Sequence, residues 1–189
     1  MTTDRAPDSR TRILDGALRA TSAHGLARMS LEDVAREAGV SRQTVYRYFG
    51  TREELLGAVV LREEERFIER MAAAADRHRD LRPAVEAALR EALVMAREHP
   101  LLDRLLATEP QALLPFLTTG AGPVLAAARP VLEELLQHRM PHLSAVHIRR
   151  AADTVTRLVV SYAINPPDDP IDEVAASLAD LIVDGLKSA

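Results

Sequence analysis

This chain of 189 residues contains no cysteine. Disulfides and thiolate metal sites are thereby excluded, and a reducing cytosol suits it. Aromatic residues make up only 3% of the chain against 47% hydrophobic residues, so its core has to be built from Leu, Val and Ala. Lysine occurs once, at Lys187, and every other basic residue is arginine or histidine. No apolar run approaches the length of a membrane span. The first twelve residues, MTTDRAPDSRTR, lack the apolar stretch of a secretory signal. No alternating run bounded by turn signals reads as a strand. G-x-S-x-G, the P-loop and G-x-G-x-x-G are all missing. What is present is Ala, Leu, Arg and Glu in quantity, a helix-favouring mixture. An all-α, cytoplasmic protein with no membrane partner and no cofactor is the expectation.

The net charge of −4 argues at first against a polyanionic partner. Its distribution answers this. Residues 1–50 hold eight Arg and six acidic residues, a net of +2, and the rest of the chain carries a net of −6. A change of sign between the two parts is expected if only the N-terminal part meets phosphate.

The densest signal lies between Ser30 and Leu56, SLEDVAREAGVSRQTVYRYFGTREELL. Ser30 and Asp33 form an S-x-x-D capping pattern, Ser41 precedes the run Arg42–Phe49, and Thr51 is followed three residues later by Glu54. Gly39 stands where a helix C-terminus needs positive φ. Two helices joined by a three- to four-residue turn containing Gly describe a helix-turn-helix, whose second helix enters a DNA major groove. Arg42, Gln43, Thr44 and Arg47 are suited to base edges. Tyr46, Tyr48, Arg52 and the Ser30 cap are suited to phosphates, and Ser41, the cap of the reading helix, is counted with them at the DNA face. Val45 and Phe49, four residues apart, should seat the helix inward. Arg5, Arg10 and Arg12 could touch backbone phosphates, with plain solvated surface arginines the equal alternative.

The run VAREAGVSRQTVYRYFGTREEL resembles the signature of the TetR/AcrR family of bacterial transcription regulators. Its usual form is roughly I-A-x-x-A-G-V-S-x-x-x-x-Y-x-x-F-x-s-K-E-x-L. The motif covers Met29 to about Leu56, and the preceding helix around Ile13–His24, ending at Gly25, fits as well. Arg52 stands where the family usually has lysine, which keeps the charge with a different geometry. The resemblance implies a DNA-binding domain followed by a more variable helical domain, and a dimer made by two helices from each subunit.

Residues 1–52 are accordingly expected to form the DNA-binding domain, with 1–8 a disordered arm, and residues 53–189 a helical ligand-binding and dimerisation domain. Helix spacing predicts a first helix over about 9–23. A long helix should follow Thr51, with Leu56, Val60, Phe67, Met71 and Ala74 as its apolar stripe and Arg62 to Arg66 on its solvated face. A further helix starts near Pro83 with Val85, Leu89, Leu93 and Ala96 inward. Short apolar pieces, Leu101–Ala107 and Ala112–Leu117, precede one from Val124 to about His138 that Pro130 should kink or delay. Broken helices leave gaps, and Val85, Leu89, Leu93, Leu105, Phe116 and Val159 are the candidate lining of a pocket for a small, mostly apolar effector. Two closing helices, Ser144 to about Ile164 and Ile171 to about Lys187, carry more apolar surface than one chain needs. Val155, Leu158, Tyr162, Ile171, Val174, Leu178, Leu181 and Ile182 are the candidate dimer interface.

His138, His142 and His147 are close in sequence, but Pro141 breaks the chain between them and no metal is expected. The leading reading is a homodimeric repressor on a palindromic operator, released by its effector. An all-α enzyme would need a positioned acid, base or nucleophile, and none stands out. A helical protein-interaction module is the third reading.

Overall fold

The computed structural model describes residues 8–25, 28–99, 111 and 122–187. Among these the regular structure is helical: α1 (Ser9–His24), α2 (Leu31–Ala38), α3 (Arg42–Tyr48), α4 (Arg52–Ala75), α5 (Leu81–Glu98), α6 (Gly122–Arg139), α7 (Ala145–Ile164) and α8 (Ile171–Lys187). No helix among the described residues is long and apolar enough to cross a membrane. The pieces Leu101–Ala107 and Ala112–Leu117 lie outside the described residues. The chain divides into two compact units between Glu63 and Glu64, inside α4. The motif alone places the boundary at 52/53. The difference has a physical source, because the first turns of α4 supply Leu55 and Val59 to the first unit's core.

In the first unit, local chemistry starts and stops each helix. Asp8 caps α1, its carboxylate accepting from the Thr11 N–H at 2.8 Å. Residue 8 is therefore part of the fold and not of a disordered arm; residues 1–7 lie outside the described residues. α1 buries Ile13, Leu14, Ala17 and Ala20 against Val34, Ala35, Ala38, Val45, Phe49 and Met29. The Ile, Leu, Val, Phe and Met side chains among them contribute roughly 1.5–3 kcal/mol each when fully buried, the alanines less. α1 and α2 approach most closely at Gly16, where a Cβ would stand 2.7 Å from the Ala38 nitrogen. In the first turns of α4 the buried residues are Leu55 and Val59, not the expected Leu56 and Val60, which are half-buried, while the expected Ala74 is buried near its other end. The expected solvated face also needs correction. Arg62 is only 12% exposed and donates to Asp15 of α1 at 2.8 Å.

In the second unit, α5 and α8 pack along their length, α6 lies on α7, and α7 also meets α5 and α8. Val85, Leu89 and Leu93 of α5 meet Val155 of α7 and Val174, Leu178 and Val183 of α8 in the main core. Alanines at 175 and 179, fully buried, let α8 come close. A second cluster joins Leu136, Met140, Ile148 and Leu186, and a third joins Ala75, Ala84 and Ala88. α6 runs through Pro130 as one helix, losing one backbone hydrogen bond there. Ion pairs Arg82–Asp180 at 2.5 Å and Arg90–Asp172 at 2.6 Å bridge α5 and α8. Exposed pairs of this kind are screened by solvent and add little to stability.

Candidate nucleic-acid interface

The turn between α2 and α3 is held from both sides. Gly39 has φ 61 and ψ 39, the left-handed conformation. Its N–H donates to the Arg36 carbonyl at 3.2 Å, and the Val40 N–H donates to the Ala35 carbonyl at 3.0 Å. This paired closure satisfies carbonyls that a helix end leaves without partners. Arg12 of α1 donates to the carbonyls of Ala38 at 3.1 Å and Gly39 at 2.7 Å. Arg19 donates to the Glu37 carbonyl and pairs with its carboxylate at 3.5 Å. Two cations thus sit at the negative end of the α2 dipole. Arg12 is a structural clamp here, not one of the phosphate-reaching arginines of the sequence reading. Arg10 lies over the Phe49 ring at 5.9 Å, and Arg5 is outside the described residues.

α3 presents the expected division of faces. Val45 and Phe49 are buried. Arg42, Gln43, Tyr46, Arg47 and Tyr48 are exposed, with Tyr46 at 46% and Tyr48 at 42%. The Arg47 guanidinium stacks on the Tyr48 ring at 5.4 Å, which restrains two long side chains on one patch. Thr44 is half-buried, and its hydroxyl shares a 2.8 Å hydrogen bond with Ser41, whose Oγ also accepts from the Thr44 N–H at 3.1 Å. Ser41 and Thr44 are therefore occupied in starting the helix.

Ser30 is occupied too. Its Oγ donates to Asp33 at 2.6 Å and accepts from the Asp33 N–H at 3.1 Å, while its own N–H donates to the same carboxylate at 3.2 Å. These bonds, with Arg36 beside them, hold the Asp33 carboxyl down at about 2. At the start of α4, Glu54 accepts from the N–H groups of Gly50 at 2.8 Å and Thr51 at 3.3 Å, and Thr51 Oγ1 accepts from the Glu54 N–H at 3.1 Å. Arg52, half-buried, is the first residue of the helix so anchored.

One residue of this surface had no signal in the sequence. Glu32, in the first turn of α2, pairs across the turn with Arg42. The partners are ten positions apart on different helices, so no helical or capping pattern links them. Arg12, Arg19 and the Asp15–Arg62 pair escape sequence reasoning for the same reason.

The other candidate residues are placed as follows. Val85, Leu89 and Leu93 are buried together and Val159 packs against them, but they fill the core. Leu105 and Phe116 lie outside the described residues. A cleft of about 30 Å³ opens beside Leu93, lined also by Ala96, Arg97, Tyr162, Pro166, Pro167 and Ile171. That is room for water, against the several hundred Å³ of a typical ligand pocket. Of the interface candidates, Val155, Val174 and Leu178 are buried in their own chain, while Leu158, Tyr162, Ile171 and Ile182 are half-buried. Leu181 is 69% exposed. His147 is engaged at the start of α7, its Nδ1 2.8 Å from Ser144 Oγ.

Known proteins share this arrangement. The family described as bacterial regulatory proteins, tetR family, matches residues 13–59, and the bacterial tetracyclin repressor C-terminal domain matches residues 80–184. The HTH-type transcriptional regulator AlkX of Mycobacterium tuberculosis (strain ATCC 25618 / H37Rv) is 31% identical over 157 residues, covering 82% of this chain and 74% of that protein. The crystal structure of the TetR family repressor AlkX from Dietzia sp. strain DQ12-45-1b, implicated in biodegradation of n-alkanes, matches with a TM-score of 0.80 at 29% identity. It covers 94% of this chain and 97% of the Dietzia chain. A TetR-family transcriptional regulator from Streptomyces coelicolor matches with a TM-score of 0.70 at 25% identity, over 96% of this chain and 98% of the other. The helix-turn-helix geometry and these matches over both units together make the chain a DNA-binding transcriptional regulator of the TetR family.

Proposed function

We propose that this regulator is a cytoplasmic homodimeric repressor that binds a palindromic operator through α3 and leaves it when a small, mostly aliphatic effector binds. The observation that carries the reading is the face of α3, where five polar or aromatic side chains stand exposed around a helix seated by Val45 and Phe49. Arg42, Gln43 and Arg47 are assigned to base edges, Thr44 beside them. Tyr46, Tyr48 and Arg52 are assigned to phosphates. Ser30 is assigned a supporting part, since its polar groups are spent on the cap.

Dimerisation is assigned to the outward face of α7 and α8, with Leu181 as its anchor. A large apolar side chain left 69% exposed next to half-buried Ile182, with Leu158 of α7 also half-buried, is the kind of surface a second copy covers. The effector class follows from the aliphatic second-unit core, and from the implication of the Dietzia repressor in biodegradation of n-alkanes. With few rings available, an aromatic cage for a cation is not the expected chemistry.

The test is selection of duplexes from a random pool by the full chain, followed by footprinting. The expected result is an inverted repeat whose half-sites lie about one helical turn, 34–36 Å, apart or a multiple of it. A pool that stays random, or protection without two-fold symmetry, overturns the reading.

A further inference from the structure

Glu32 places a carboxylate on the surface assigned to DNA. Its neighbour Asp33 is spent on the Ser30 cap and on Arg36. Glu32 instead reaches from α2 to the first residue of α3 and pairs with the Arg42 guanidinium. Both side chains are well exposed, Arg42 at 62% and Glu32 at 42%. An ion pair this wet contributes little to folding, so stability does not account for it. What it does control is the state in which Arg42 meets nucleic acid.

We propose that Glu32 is a specificity-determining residue that holds Arg42 as an internal stand-in for phosphate. The inference rests on the reading of α3 as the DNA-contacting helix. Any backbone phosphate offers Arg42 one anionic partner in exchange for another, and it brings the Glu32 carboxylate up against the polyanion. That exchange gains almost nothing. A guanine offers a bidentate pair of acceptors, O6 and N7, in a geometry that matches the guanidinium fork. Arg42 therefore leaves Glu32 profitably only at a matching base. Discrimination arises from a penalty on the wrong partner as much as from a gain on the right one. The pair also keeps the small positive excess of this unit from driving indiscriminate binding, which is almost wholly electrostatic.

The test uses the full chain, a duplex of about 30 base pairs enriched from a random pool by the wild type, and a scrambled duplex of the same composition. Glu32→Gln removes the charge and keeps the shape. Affinity for the scrambled duplex should rise on the order of tenfold at low salt, with a smaller rise for the enriched duplex, so the ratio between them falls. The salt slope on scrambled DNA should steepen by about two for a dimer, one new phosphate contact per subunit. In an Arg42→Gln background the same change should leave the ratio where Arg42→Gln puts it. Glu32→Ala, also helix-compatible, serves as a second variant, with thermal melting to show that each is folded. A loss of affinity confined to the enriched duplex would overturn the proposal, since Glu32 would then be orienting Arg42 or reading a base itself. Unchanged affinities would overturn it too, and so would an equal gain with and without Arg42, which marks a general charge effect. If the wild type enriches no sequence at all, the underlying DNA-binding reading fails instead, and that outcome is visible before any variant is made.

Discussion

Gly16 and Gly57 are both helical glycines, and the same substitution should act on them with opposite sign. A Cβ at Gly16 would lie 2.7 Å from the Ala38 nitrogen and 2.8 Å from the Ala38 Cβ, so α1 and α2 would have to separate. Overpacking of this sort costs about 1–3 kcal/mol, more than the roughly 1 kcal/mol that alanine gains over glycine in a helix. At Gly57 nothing stands within 4 Å, and only the gain remains. Urea unfolding should show Gly16→Ala destabilised and Gly57→Ala stabilised by about 0.5–1 kcal/mol. Two stabilised variants would mean that α1 and α2 do not meet closely at Gly16. Glu64 makes a second residue-scale prediction. Neither of its carboxylate oxygens has a hydrogen-bond partner among the described residues, and both are hidden from solvent. Burial, helped by the adjacent Glu65, raises its pKa to about 7. The folded state then holds this proton more tightly than the unfolded chain, whose value is near 4.5. The stability it contributes is complete below about 4.5 and is lost as pH rises through about 7. Glu64→Gln should therefore flatten the pH dependence of the melting temperature between pH 5 and 8 and raise it at pH 8. A parallel shift at every pH would leave the titration of Glu64 without a part in stability. Asp33, held down at about 2, works in the opposite window, since its contribution is lost only as pH falls from about 3.8 towards 2.

Elements were legible in the sequence wherever one local rule decides them. The caps at Ser30, Ser41 and Thr51, the turn at Gly39 and the bounds of α8 all depend on residues within four positions of each other. The phase of a helix face was harder to read. α8 has apolar or alanine residues at 171, 174, 175, 176, 178, 179, 181, 182, 183 and 186, more than half its circumference. A stripe so broad does not say which edge faces in. Val174, Leu178 and Val183 turned out to be core and Leu181 surface, and the offset from Leu56 and Val60 to Leu55 and Val59 on α4 has the same origin. Pairs such as Arg62 with Asp15, 47 positions apart, follow from packing alone and leave no periodic trace. The phase now separates two substitutions that look alike in sequence. Leu178→Glu buries a carboxylate in the α5–α7–α8 core and should unfold the second unit, a cost of several kcal/mol. Leu181→Glu puts its charge on an exposed face, so the chain should stay folded, sediment as a monomer and lose most of its operator affinity, because each half-site alone binds weakly. A folded Leu181→Glu variant that still sediments as a dimer would move the interface off this face of α8.

At the scale of the whole molecule, the proposed switch is constrained by thermodynamics before any geometry is known. α4 is one continuous helix with its first turns in one compact unit and its last in the other, so it is a covalent route by which a change in the second unit can reach the first. An effector that binds both forms of the protein equally moves nothing, however tightly it binds. One that releases DNA must prefer the DNA-free form, and linkage then fixes the size of the reverse effect. The second-unit core is aliphatic, and the small cleft beside Leu93 has Arg97 and Tyr162 on its wall. Linear alkanes and the corresponding carboxylates of graded length are the probes that fit this chemistry. The expected result is a melting temperature that rises with probe concentration, since a ligand selective for the native state stabilises it by mass action. A probe that weakens operator binding a hundredfold must itself bind about a hundredfold more weakly to the protein–operator complex. Longer chains should couple more strongly, because each added methylene buries more apolar surface in whichever state accommodates it. A probe that stabilises the protein yet leaves operator affinity unchanged occupies the second unit without being the signal, and if every probe behaves so, the aliphatic effector is the wrong class.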